Sequence, residues 1–168
     1  MLTSRRIVYL AIGVLLLAGC GFHLRGAVHL PPVMAVTYIQ APNPYSRLVT
    51  DLREALTGNG IKVTGQRPAA TGVLNILGEG ASSRQIVVSA SGQIREMELN
   101  YTVSFELQDA KGAVLLQPQT LTLRRSFTFN VVDVLGVTAQ QNLLQRNMQR
   151  DIVQLMLLRL QALVKEGQ

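Results

Sequence analysis

The chain has one cysteine, two histidines and no tryptophan among 168 residues, and only 5% of it is aromatic. A lone thiol excludes an internal disulfide framework and any multi-cysteine zinc site. His23 and His29 both lie near the N-terminus, and no Asp or Glu precedes Asp51, so that stretch holds no local cluster of metal ligands. The nucleophile elbow, the phosphate loop and the zincin helix are missing too, which makes an enzyme a poor reading. Charged residues are also scarce, at 15% against 48% apolar, a balance that excludes disorder for most of the chain. What charge there is leans one way: 16 Lys/Arg against 10 Asp/Glu, a formal +6. Such a bias implies an anionic partner, either phosphate-bearing lipid or nucleic acid.

The length allows one domain and a short appendage. The appendage is at the start, where Arg5 and Arg6 precede the apolar run Ile7 to Ala18. As a helix that run would rise about 18 Å, short of the roughly 30 Å of a bilayer's hydrocarbon core. A basic start, a short apolar run and the small residues Ala18 and Gly19 predict an export signal over residues 1–19. The single thiol follows at once. Leu17-Ala18-Gly19-Cys20 resembles the bacterial lipobox, in which the cysteine sulfur takes a diacylglycerol group, the chain is cut before it and the new amine is acylated. Three acyl chains exceed the two-signal requirement for stable anchoring, at about 0.8 kcal/mol per buried methylene. Gly21, standing where an Asp would retain such a lipoprotein at the inner membrane, fits an outer-membrane destination. Loss of Arg5 and Arg6 with the signal leaves a formal +4.

Residues 20–32, ending in a Pro pair, read as a tether, and residues 33–168 as a single domain. A first strand is expected in "VMAVTYIQ". A helix should follow, with Asn43 as cap, Pro44 in its first turn, Leu48, Leu52 and Leu56 on its buried face, and Gly58 or Gly60 at its end. "IKVT" is strand-like, "GVLNILGEG" and "SRQIVVSA" read as two strands, and Ser91-Gly92 as a turn. The clearest strand has Met97, Leu99, Tyr101, Val103, Phe105 and Leu107 alternating with Glu98, Asn100, Thr102, Ser104, Glu106 and Gln108, which predicts one dry and one wet face. After a turn over Asp109 to Gly112, Leu121, Leu123, Phe127 and Phe129 share a strand face with Arg125. A last helix is expected from Thr138 to Lys165, with Leu144, Met148, Ile152, Leu155 and Ala162 on one stripe. Val153, Leu157, Leu160 and Val164 fall opposite, so this helix should be covered on two sides, by its own fold or by a partner. The predicted class is α+β: two helices packed on one face of a mainly antiparallel four-stranded sheet.

Glu96 and Glu98 share a strand face, where an exposed polar surface accounts for them better than a catalytic pair. The candidate anion contacts are Arg84, Arg95, Arg124 and Arg125, because the guanidinium fork matches phosphate oxygens. Successive strand residues point to opposite faces, so Arg124 and Arg125 cannot serve one surface. An exported lipoprotein does not meet the genome, which disfavours nucleic acid. It does meet an anionic glycolipid.

"CGFHLRG" at the cysteine, "RRSFTFN" in a late strand, and "VLG" leading into "LLQRNMQRDIVQLMLLRL" together resemble the lipopolysaccharide-assembly lipoprotein family LptE, over nearly the whole chain. The resemblance implies a lipid-anchored, non-catalytic outer-membrane protein without a cofactor or metal. It would sit one-to-one inside the lumen of an LptD-type β-barrel as plug, assembly aid and lipopolysaccharide-handling surface. A second class stays open: a free-standing periplasmic-leaflet lipoprotein that binds lipid or glycolipid, whose mark would be a large enclosed apolar cavity.

Overall fold

The computed structural model describes residues 30–88, 94–128 and 134–166. Cys20, His23, His29, the Ser91-Gly92 turn and Phe129 lie outside them. A 3-10 turn, Pro32–Met34, opens the described chain and leads into β1 (Val36–Gln40). Next come α1 (Arg47–Gly58), the short β2 (Lys62–Thr64), β3 (Gly72–Val88), β4 (Ile94–Asp109), β5 (Val114–Thr128) and α2 (Val134–Glu166).

The strands form one five-stranded sheet in the order β2-β1-β3-β4-β5. β1 pairs parallel with β2 and with β3, whereas β3, β4 and β5 are antiparallel neighbours. The expected four-stranded, mainly antiparallel sheet is therefore corrected to a mixed one of five strands. The reason is the crossover: α1 carries the chain back from the end of β1, so the strand after it runs parallel to β1. β3 is a single strand of 17 residues rather than two. Ala81 and Ser82, which separated the two expected strands, sit in the ladder opposite Tyr101 and Asn100. The irregularities lie elsewhere, as register shifts between Ile76 and Gly78 and again beyond Gln85.

Both helices cover one face. Leu48, Leu52 and Leu56 of α1 are buried as their spacing requires. The helix begins later than expected, with Ser46 as N-cap accepting from the Val49 N–H at 3.3 Å. Asn43 instead folds the entry turn, its side-chain oxygen accepting from the Tyr45 N–H at 3.1 Å. At the other end Gly60 takes a positive φ of 83°, which lets the chain leave the helix. α2 starts earlier than expected and presents Met148, Ile152, Val153, Met156, Leu157 and Leu160 to the core. At 100° per residue these span one half of the helix circumference. The two apolar stripes read from the sequence are thus the flanks of one wide face, wedged between α1 and the strands β4 and β5. Leu155, placed in the core stripe by its spacing, is 36% exposed, because it falls at the rim of that face.

The sheet contributes Ile39, Leu74, Ile76, Leu99, Tyr101, Val103, Phe105, Leu107 and Phe127 to the same core. In β1 it is Thr37 and Ile39 that point inward, and the Thr37 hydroxyl donates to the Met34 carbonyl at 2.7 Å. Gly72 opens β3 where the 3-10 turn crosses it; a Cβ there would meet the Val33 carbonyl oxygen at 2.8 Å. β4 turns into β5 around Asp109, whose carboxylate accepts from the Lys111 and Ala113 N–H groups at 2.8 Å each.

Candidate functional site

The face of the sheet turned away from the helices is a woven polar surface. Glu98, Asn100, Thr102, Ser104, Glu106 and Gln108 of β4 occupy its centre, as their alternation predicts, and all are half-buried between the flanking strands. Each finds a partner. Arg84 of β3 donates to Glu98 at 2.7 Å, and Asn100 donates to the same oxygen at 3.3 Å. Thr102 and Thr122 share a hydroxyl hydrogen bond at 3.1 Å, as do Ser104 and Thr120 at 2.8 Å. Asn75 and Gln108 both donate to Glu106, at 2.8 and 2.7 Å. Cross-strand pairs of this kind hold register while keeping the surface hydrophilic.

Electrostatics follow from this pairing. The hydrogen bond from Arg84 holds the Glu98 carboxyl below the usual carboxylate range, with smaller help from Asn100 and from the charges of Arg84 and Arg124, against an opposing effect of desolvation. Arg84 is shifted upward by the same contact. On the helix side, burial and then the hydrogen bond to Glu79 push the Tyr101 hydroxyl well above its ordinary range.

Of the four candidate arginines, the fold brings two to one face and sends a third to the other. Arg84 and Arg124 lie on the outer face, opposite Glu98 and Asn100 respectively. Arg125 lies on the helix side and reaches Asp151 of α2 at 3.4 Å, so the expected division of Arg124 from Arg125 is what the fold shows. The side chain of Arg95 lies outside the described residues. Sequence reasoning did not find the Arg84–Glu98 pair or the threonine and serine pairs. Alternation marks their face, but only the register between strands says which residues meet.

Open grooves border the sheet. A basin of about 550 Å³ on the outer face is lined by Gln40, Arg67, Asn75, Leu77, Glu106 and Gln108. Arg67 donates to Gln40 at its rim, and the Asn75 side-chain oxygen is buried without a hydrogen-bond partner. Two smaller grooves, about 430 and 210 Å³, run along the helix side of β3 and share Ala81, Tyr101 and Gln145. Among the described residues there is no group of three or more His, Cys, Asp or Glu that could hold a metal ion. No helix of the described residues is long and apolar enough to cross a membrane.

Two helices on one face of a long-stranded mixed sheet, with the other face clad in paired polar side chains, define an α+β domain of the kind found in small lipoproteins. The solution structure of lipoprotein B from Nitrosomonas europaea is similar over 88% of this chain and 94% of that one, with a TM-score of 0.74 and 31% identity. A minor lipoprotein from Acinetobacter baumannii is similar over 79% and 94%, with a TM-score of 0.65 and 27% identity. Within that class the chain belongs to the lipopolysaccharide-assembly family LptE, whose family model matches residues 34–160. The LPS-assembly lipoprotein LptE of Photorhabdus laumondii is 27% identical over 139 residues, covering 83% of this chain and 75% of the relative. That of Pectobacterium atrosepticum is 25% identical over 146 residues, covering 86% and 78%. Membership makes this a non-enzymatic envelope lipoprotein with a role in lipopolysaccharide transport.

Proposed function

We propose that this chain is the lipid-anchored subunit of the outer-membrane lipopolysaccharide translocon, seated one-to-one in the lumen of an LptD-type β-barrel as plug and assembly aid. In this reading residues 1–19 are the export signal, Cys20 carries the acyl chains, residues 20–32 are the tether and residues 33–168 the domain that enters the barrel. The observation that carries the reading is the outer face of the sheet, where Glu98, Thr102, Ser104 and Glu106 are held in cross-strand pairs. The lumen of a large outer-membrane barrel is polar, and an insert must meet it with donors and acceptors already in place. Arg84 and Arg124 give the same face two cations for a glycolipid phosphate.

A free-standing lipid binder would instead need an enclosed apolar chamber. The grooves beside the sheet are open with mixed linings, and the basin of about 550 Å³ has Arg67, Glu106, Gln40 and Gln108 in its wall. They favour the insert over the lipid carrier. The test is an affinity pull-down of the acylated lipoprotein from solubilised outer membrane. A stoichiometric β-barrel is expected in the eluate, and depletion of the lipoprotein should leave that barrel degraded. Recovery of the lipoprotein alone, with an intact barrel in depleted cells, would overturn the reading. Mass spectrometry of the native polypeptide checks the anchor, which a bare thiol with residues 1–19 still attached would refute.

A further inference from the structure

β3 is fully paired on one side only. β4 accompanies it from Gly72 to Val88, but β1 covers only Gly72 to Asn75 on the other side. From Ile76 onward that second edge has no strand partner among the described residues. Register shifts at Ile76/Gly78 and Gln85/Val87 bracket a regular window, Gly78 to Gln85. An open edge of this kind is ordinarily guarded by proline or lysine, or covered by another element. The opposite edge of the sheet carries one such guard, since β5 contains Pro118. The β3 window, with sequence GEGASSRQ, contains neither proline nor lysine, and its two charges, Glu79 and Arg84, are drawn to Tyr101 and Glu98 of β4.

We propose that Gly78–Gln85 is a strand-addition site for an extended polypeptide segment of a partner protein, carrying a Lys or Arg where it meets Glu79. A row of unpaired N–H and C=O groups at strand spacing is matched by another extended backbone; an acyl chain offers no donors, and a helix has already spent its own. Small residues keep both sides of the window low: Gly78, Gly80 and Ser82 on the outer side, Ala81 and Ser83 on the helix side. The two grooves of about 430 and 210 Å³ lie along the helix side, where alternate side chains of an added strand would point. Glu79 is exposed in the wall of the larger groove and is the one formally charged residue lining either of them, which sets the sign of the residue opposite it. The window is long enough for a strand of ordinary length, about 5–6 residues. This inference does not depend on which envelope protein supplies the strand.

The experiment uses the full acylated lipoprotein in its native membrane assembly. Hydrogen–deuterium exchange of residues 78–85 is compared in the assembly and after the lipoprotein has been stripped from it. A photo-crosslinking p-benzoylphenylalanine is placed at Ser83, and at Thr120 on the β5 edge as control. Slowed exchange in the assembly is expected, together with Ser83 cross-links on one contiguous partner stretch that contains a Lys or Arg. Glu79→Gln keeps an acceptor for Tyr101 but loses the charge, and should lower the cross-link yield about fivefold, as for a partly exposed ion pair. Unchanged exchange, cross-links to lipid alone or to scattered segments, equal capture at Thr120, or an unaffected yield in Glu79→Gln would each overturn the proposal. A strand donated by a protein other than a barrel would uphold it and refute the barrel reading instead.

Discussion

Residues 97 to 108 of β4 visit two environments in turn, and the two faces of this one strand obey different physics. Leu99, Tyr101, Val103, Phe105 and Leu107 are all at most 5% exposed and touch both helices through one continuous core. Their neighbours Glu98, Thr102, Ser104 and Glu106 remain half-exposed and pair sideways with β3 and β5. Removal of water from apolar surface drives the first set, at roughly 25 cal/mol per Å². The second set exchanges hydrogen bonds to water for hydrogen bonds to protein, a trade with a small net yield. The dry face therefore holds the fold, while the wet face contributes little to it and is free to serve contact.

The largest effect should come from breaking the dry face. Phe105→Ala is expected to destabilise the domain by about 3–5 kcal/mol, whereas Ser104→Ala beside it should stay within about 0.5 kcal/mol. Urea titration of the two variants measures the difference, and similar losses would abolish the distinction between the faces.

Tyr101→Phe tests a polar group inside the dry face. Tyr101 is 1% exposed, its hydroxyl donates to Glu79, and Gln149 also bonds it. Loss of the hydroxyl should cost about 1 kcal/mol at neutral pH. The sign of the alkaline effect follows from the raised folded pKa. Unfolded chains lose the tyrosine proton near pH 10 while the folded domain keeps it, so stability falls as pH rises past that point. Thermal melts should show this contribution in the parent and not in Tyr101→Phe.

The smallest effect belongs to the wet face. Glu98 has a lowered pKa in the folded state, chiefly through Arg84. Its contribution is present above the ordinary carboxylate range and is lost as pH falls through the depressed value. Arg84→Ala should flatten the acid limb of the stability curve below the ordinary carboxylate range while scarcely changing the melt at neutral pH. Titration of the Glu98 side chain by NMR follows the same change directly.

Local and periodic signals were the readable part of this molecule. The six-fold alternation of β4 predicts its two faces, Leu48, Leu52 and Leu56 predict the buried side of α1, and the strand period separates Arg124 from Arg125. Pairings that depend on distant chain segments were not readable. β2 holds only three residues, and nothing local reveals that it runs parallel to β1. Ala81 and Ser82 have no strand signal of their own, and only β4 alongside shows the strand continuing through them. The partnership of Arg84 with Glu98 needs the β3–β4 register, which no single segment encodes.

The 17 residues of β3 have one further consequence. At about 3.3 Å per residue the strand is about 55 Å long, beyond the roughly 40–45 Å of a whole bilayer including its headgroups. β4 is hydrogen-bonded to it along that whole length, so the two tips are tied by one ladder and a load taken up at one is passed to the other.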